Sequence, residues 1–108
     1  MADVEVYASA MDVRFADDHL KRLESESTFD GGLGREVVRG FRKVMQVIRA
    51  AVDERDFYAM KSLHFEKLQG NRSHQHSMRL NKQWRLIVEF QKVADGKVVV
   101  VVSVEDYH

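Results

Sequence analysis

The hydrophobic period of this chain changes once, near Gly70, and that change fixes its fold class. Across residues 35–52 the apolar side chains Val37, Val38, Phe41, Val44, Met45, Ile48 and Val52 recur at spacings of three and four. This is the pattern of an amphipathic helix of about five turns. Beyond Gly70 the period becomes two. His76-Ser77-Met78-Arg79-Leu80 and Trp84-Arg85-Leu86-Ile87-Val88-Glu89-Phe90 read as strands joined by a short hairpin loop, Asn81-Lys82-Gln83. Ala94-Asp95-Gly96 supplies a second turn, Asp-Gly being a strong hairpin signal. Residues 98–104 are apolar at nearly every position and read as a central strand covered on both faces. Helices followed by an antiparallel meander make a small α+β domain, with two to three helices packed on one face of the sheet.

Ahead of the long helix, Val13-Arg14-Phe15 reads as a short edge strand. A helix start is expected at Asp17 or Asp18, with Leu20 and Leu23 on its apolar side. Residues 25–34 are rich in Ser, Asp and Gly and read as a loop. Residues 53–63 are expected to form one more short helix with Phe57, Met60 and Leu63 inward. Gly40 costs the long helix about 1 kcal/mol relative to Ala, so its presence predicts a close packing contact.

A chain of 108 residues suits one domain with one core. Its lack of cysteine excludes disulfides, zinc fingers and thiolate catalysis. No apolar run approaches the roughly 20 residues that span a bilayer, and the first residues lack the pattern of a secretory signal. A cytoplasmic protein without a membrane partner is expected. The net charge is zero but unevenly spread: residues 1–34 carry net −5, residues 35–92 net +7 and residues 93–108 net −2. The basic middle points to an anionic partner such as nucleic acid, or else to solvated helix faces. On the long helix the basic side chains Arg35, Arg39, Arg42, Lys43 and Arg49 lie opposite the apolar stripe, a face suited to an acidic partner segment or a nucleic-acid backbone.

Alternation sorts the chemistry-bearing side chains of the strands. His74, His76, Met78 and Leu80 share one face of the first, while Gln75, Ser77 and Arg79 share the other. In the second strand Arg85, Ile87 and Glu89 oppose Trp84, Leu86, Val88 and Phe90. Which set joins His76 with Arg85 depends on a pairing that the sequence leaves open. A zinc site would need three or four converging ligands. His74, His76 and His64 are the only candidate set, without a helical HExxH pattern, so no metal or other cofactor is expected. The side-chain types for metal-free RNA cleavage are present. Histidine at His76 or His108 suits acid–base work near neutral pH. Arg79, Arg85, Lys67 and Arg72 suit phosphate, and Tyr107 suits stacking on a base. The final Glu105-Asp106-Tyr107-His108 places an acceptor, a phenol and an imidazole directly after a strand.

Three segments together, Leu68-Gln69-Gly70-Asn71-Arg72, Ser77-Met78-Arg79-Leu80-Asn81-Lys82-Gln83-Trp84-Arg85-Leu86 and Glu105-Asp106-Tyr107-His108, resemble the RelE/ParE toxin superfamily. They are most similar to its HigB (plasmid killer) branch, whose members typically read L-K-G-D-R, then S-I-R-I-N-x-Q-W-R-I, then a closing D-Y-H. The resemblance implies a single toxin domain over residues 1–108 that enters the ribosomal A site and cuts translated mRNA. It implies, as partners, the ribosome with its mRNA and a helix-turn-helix, HigA-like antitoxin, through which alone operator DNA is contacted. Carried over, Asp106, Tyr107 and His108 take the place of the motif implicated in mRNA cleavage. Arg85 matches the superfamily's phosphate-contacting arginine, and His76 lies on the strand where related toxins keep a basic catalytic residue. Lys67, Arg72, Arg79 and Lys82 become RNA-binding candidates, and Arg35, Arg39, Arg42 and Lys43 candidates for contact with antitoxin or rRNA.

This chain departs from the pattern in two places. Branch members commonly carry a histidine two residues before Leu-Lys-Gly, where this chain has Glu66, with His64 two positions earlier. The chain is also neutral, where ribosome-targeting toxins are usually basic. Met11-Asp12-Val13-Arg14-Phe15 resembles the family's usual opening, which makes residues 1–10 an expected extension. Two other functions fit the same fold: a ParE-like inhibitor of DNA gyrase, and an inactive relative that only binds.

Overall fold

The computed structural model describes residues 11–107. It is an α+β domain with the elements β1 (Asp12–Phe15), α1 (Asp18–Ser25), α2 (Arg35–Ala50), α3 (Arg55–Ala59), β2 (Glu66–Lys67), β3 (Gln75–Arg79), β4 (Trp84–Val93) and β5 (Gly96–Asp106). Short 3₁₀ turns at Lys61–Leu63 and Gly70–Arg72 flank β2. The extension expected at residues 1–10 and the catalytic expectation at His108 lie outside the described residues.

The helices form where the sequence predicts, with identifiable ends. Asp17 caps α1 by accepting from the Leu20 amide at 3.0 Å, which satisfies one of the amide groups that a helix start leaves open. The apolar stripe of α2 is buried along its length, with Phe41 and Ile48 fully so. Residues 53–63 form one helical turn and one 3₁₀ turn rather than a single helix. Phe57 and Leu63 point inward as expected, whereas Met60, between the two turns, is 41% exposed.

The sheet has five strands in the order β1-β5-β4-β3-β2. The meander β2 to β5 is antiparallel, but β1 joins β5 in parallel, Phe15 opposite Val101, so the sheet is mixed. The hydrophobic helices cover one face, against Met78, Leu86, Val88, Val99 and Val101. β5 is central, with neighbours on both sides, yet its second half is only partly covered.

One irregularity decides which β5 side chains reach the other face. Ile87 pairs with Ser103 but Val88 pairs with Val101, so Val102 is an extra residue in β5. Strict alternation from Val101 would turn Ser103 and Glu105 toward the helices. The bulge reverses this: Val104, opposite Leu86, packs on the core, and Glu105, opposite Arg85, joins the open face.

Gly40 makes the predicted close approach. A Cβ there would sit 2.4 Å from the Leu80 carbonyl oxygen, so α2 and the end of β3 approach to a distance that only glycine permits.

Candidate active site on the open face

The open face gathers a row of chemistry-bearing side chains at one end of the sheet. Strand register places Arg79 opposite Arg85 and Arg85 opposite Glu105. His64 follows the 3₁₀ turn with φ of 48°, a left-handed conformation uncommon outside glycine. Its Nε2 lies 3.2 Å from Arg79 Nη1. An arginine can only donate, so this contact makes Nε2 the acceptor and puts the ring proton on Nδ1. His64 thus reaches the row from a neighbouring loop, although its offset departs from the family's spacing.

Arg85 is the centre of the row. Its guanidinium carbon lies 4.3 Å from the centroid of the Tyr107 ring, a cation–π stack. Its Nε and Nη1 are buried and have no hydrogen-bond partner among the described residues. Unpaired buried donors are costly, and a half-buried cation that keeps two of them is suited to an anionic ligand. Tyr107, expected to stack on a base, therefore holds Arg85 against one side of its ring and remains about half exposed.

A chain of hydrogen bonds fastens the segment around the Gly70–Arg72 turn across this face. Arg72 Nε donates to Gln75 Oε1 at 2.8 Å, and its two terminal nitrogens donate to Glu105 at 3.1 and 2.8 Å. Gln75 in turn donates to Glu89, and Ser103 Oγ donates to Glu105. The Arg72 guanidinium holds the Glu105 carboxyl below the usual carboxylate range, burial opposes this, and the Ser103 hydroxyl adds to it. Arg72 is thus engaged by protein partners. With Leu68, Arg85, Ile87, Glu105, Asp106 and Tyr107 it lines a hollow of about 290 Å³.

Several expected site residues lie elsewhere. His76 pairs with Val88 on the helix-side face, opposite to Arg85. Its ring stacks on Phe65 at 4.7 Å and meets the edge of Phe90 at 5.4 Å. Burial depresses its pKa, with Glu54 opposing and Lys67 reinforcing the shift. The expected association of Arg85 with a histidine of the sheet is therefore not made by His76. Lys67, paired with His76, shares the helix-side face, and Lys82 sits exposed at the hairpin tip. The alternative zinc set is dispersed. His64 contacts Arg79, His76 lies against Phe65, and His74 is 3.7 Å from Glu89.

The basic face of α2 is only partly free to meet a partner. Arg35, Arg39 and Lys43 are exposed, but Arg42 donates to the carbonyls of Leu23, Glu26 and Phe29 and so braces the loop after α1. Arg49 is paired with Glu24. Sequence reasoning missed Gln75, Glu105 and the hairpin-tip residues Asn81 and Gln83. The Asn-x-Gln-Trp-Arg string was visible, but only the paired strands give its polar side chains a purpose.

With this geometry in place, the family described as "RelE-like toxin of type II toxin-antitoxin system HigB" matches residues 13–108. The chain belongs to this HigB-like toxin family. As a type II toxin it implies a cognate antitoxin. Among solved structures, the YoeB/ParE toxin from Agrobacterium tumefaciens superposes with a TM-score of 0.55 at 12% identity, covering 91% of this chain and 100% of that one. A YoeB dimer from Staphylococcus aureus gives 0.49 at 18% identity, covering 93% and 99%. The first likeness supports the RelE-like fold alone. No curated protein matches the chain in sequence. Among the described residues, no helix of this HigB-like toxin is long and apolar enough to cross a membrane.

Proposed function

We propose that this HigB-like toxin cleaves mRNA on the ribosome through its open sheet face, without a metal. The observation that carries the reading is Arg85, stacked under Tyr107 with two buried donors that have no acceptor among the described residues. In the reaction a ribose 2′-oxygen attacks the adjacent phosphorus as a base removes its proton, and the bond to the 5′-oxygen breaks as an acid supplies one. Arg85 stabilises the phosphorane charge, for which its planar fork is suited. Arg79 adds positive charge beside it. His64, whose Nε2 lone pair is freed for the 2′-hydroxyl proton when Arg79 turns to phosphate, is suited to the base, and His108, next to Tyr107 in the chain, to the acid. The exposed Arg35, Arg39 and Lys43 on α2 form a surface for antitoxin or rRNA, separate from this face.

Induction of the toxin without its antitoxin tests the reading. Protein synthesis should stop while DNA synthesis continues, and new mRNA 5′ ends should accumulate within translated frames. Continued translation together with DNA breaks would instead support gyrase inhibition. Normal growth at high abundance of the chain would support a binding-only relative.

A further inference from the structure

The hairpin tip between β3 and β4 carries a device that the proposed reaction leaves unused. Asn81 Oδ1 accepts from the backbone amides of both Gln83 and Trp84, at 2.8 Å each. This fixes the loop in one conformation and presents Gln83. Gln83 then makes two bonds to the segment that follows β5. Its carbonyl accepts from the Tyr107 amide at 2.7 Å, and its side-chain amide donates to Asp106 Oδ2 at 2.9 Å. The first bond carries the β4–β5 ladder one step beyond the Trp84–Asp106 pair. The second ties a side chain to that same step, so two consecutive residues of the segment are anchored on one residue of the hairpin.

We infer that Gln83 is a positioning residue that clamps Asp106 and Tyr107 so that the Tyr107 ring lies over Arg85. The geometry requires such a clamp. The ring is about half exposed and stands beyond the last pair of the β4–β5 ladder, where a strand end ordinarily frays. Yet it covers a specific guanidinium at 4.3 Å. Gln83 is itself exposed at the tip, so its side chain is not needed to bury the core. Its neutral amide also matters: a carboxylate at the same position would face the Asp106 carboxylate and repel it. The structural part of this inference stands on the contacts. Its consequence for catalysis rests on the proposed function.

Two readouts separate these parts. By NMR, the Arg85 side-chain protons of the wild-type toxin should be shifted upfield by the ring of Tyr107, and the Tyr107 amide should exchange slowly. Gln83→Ala keeps the carbonyl bond and loses the side-chain bond to Asp106, so the Arg85 shift should shrink and the Tyr107 amide should exchange faster while core resonances stay in place. In Gln83→Glu at neutral pH both changes should be larger. Unchanged Arg85 shifts and Tyr107 protection in both variants would overturn the clamp. In a ribosome-dependent cleavage assay, Gln83→Ala should lower kcat about tenfold or more with KM within about threefold, because a misplaced group affects the reacting geometry more than binding. Equal kcat in wild type and Gln83→Ala would overturn the catalytic consequence. A wild-type protein that cleaves nothing would refute the proposed function, and the NMR readout would still decide the clamp.

Discussion

The guanidinium of Arg85 lies 4.3 Å from the ring centroid of Tyr107, with Nε and Nη1 buried and without a hydrogen-bond partner among the described residues. Such an arrangement is poor for stability and good for binding an anion. The cation loses water without gaining a full set of acceptors among the described residues, a cost to the fold that the proposed binding of phosphate would offset.

The first prediction follows from that cost. Replacing Arg85 by methionine, of comparable length and without donors, should stabilise the isolated toxin by about 1 kcal/mol. It should also abolish cleavage, a loss of at least ~100-fold. Urea unfolding and a cleavage assay on the same preparation check both. A variant that is both destabilised and active would contradict the role given to Arg85.

A second prediction concerns His64, whose backbone is left-handed. Glycine adopts that conformation freely, whereas an L side chain is strained there by about 1 kcal/mol. His64→Gly should therefore be more stable than His64→Ala by roughly 1 kcal/mol, and both should cleave poorly. Equal stabilities in thermal unfolding would show that the backbone at this position is not strained.

The third prediction tests the α2–β3 contact. A Cβ at Gly40 would meet backbone, not a flexible side chain, at 2.4 Å. Gly40→Ala should thus destabilise the domain by about 2 kcal/mol despite alanine's higher helix propensity. A shift of the urea midpoint to higher concentration would show that α2 can move away from Leu80.

A fourth prediction is a pH dependence. His76 has its pKa depressed in the fold, chiefly by burial against Phe65 and Phe90. The unfolded chain takes up this proton near its ordinary value of about 6.5, and the folded protein only at lower pH. Between the two values the unfolded state binds more protons, so stability falls as pH falls through that range and levels off below the folded value, where both states are protonated. His76→Phe should flatten this part of the profile and leave the region above pH ~7.5 unchanged. Parallel wild-type and variant curves across the window would rule out His76 as the source.

The sequence made the α+β plan legible because its periods are local: spacings of three and four in α2, alternation in β3 and β4. The face on which each strand residue ends up is not local. His76 and Arg85 could be sorted into sets within their own strands, but only the pairing of His76 with Val88 separates them. Glu105 reaches the open face only because Val102 is an extra residue in β5, and no property of a valine run marks which valine is extra. The parallel pairing of β1 with β5 joins segments far apart in the chain. β2 is two residues long, too short for a period. Arg42 was legible as a basic side chain on the outer face of α2, but its three carbonyl partners come from a loop whose path the sequence leaves open. The arginine after Trp84 and the closing Asp106-Tyr107 were legible by likeness, and the stack between Arg85 and Tyr107 now gives that likeness a geometry.

The most direct measurement uses purified toxin, programmed ribosomes and end-labelled mRNA, with product termini identified chemically. Cleavage by 2′-oxygen attack predicts an upstream fragment ending in a cyclic 2′,3′-phosphate and a downstream fragment starting with a 5′-hydroxyl, formed without divalent metal bound to the toxin and lost in Arg85→Ala. Intact mRNA with wild-type toxin, or the same products at the same rate from Arg85→Ala, would contradict the account.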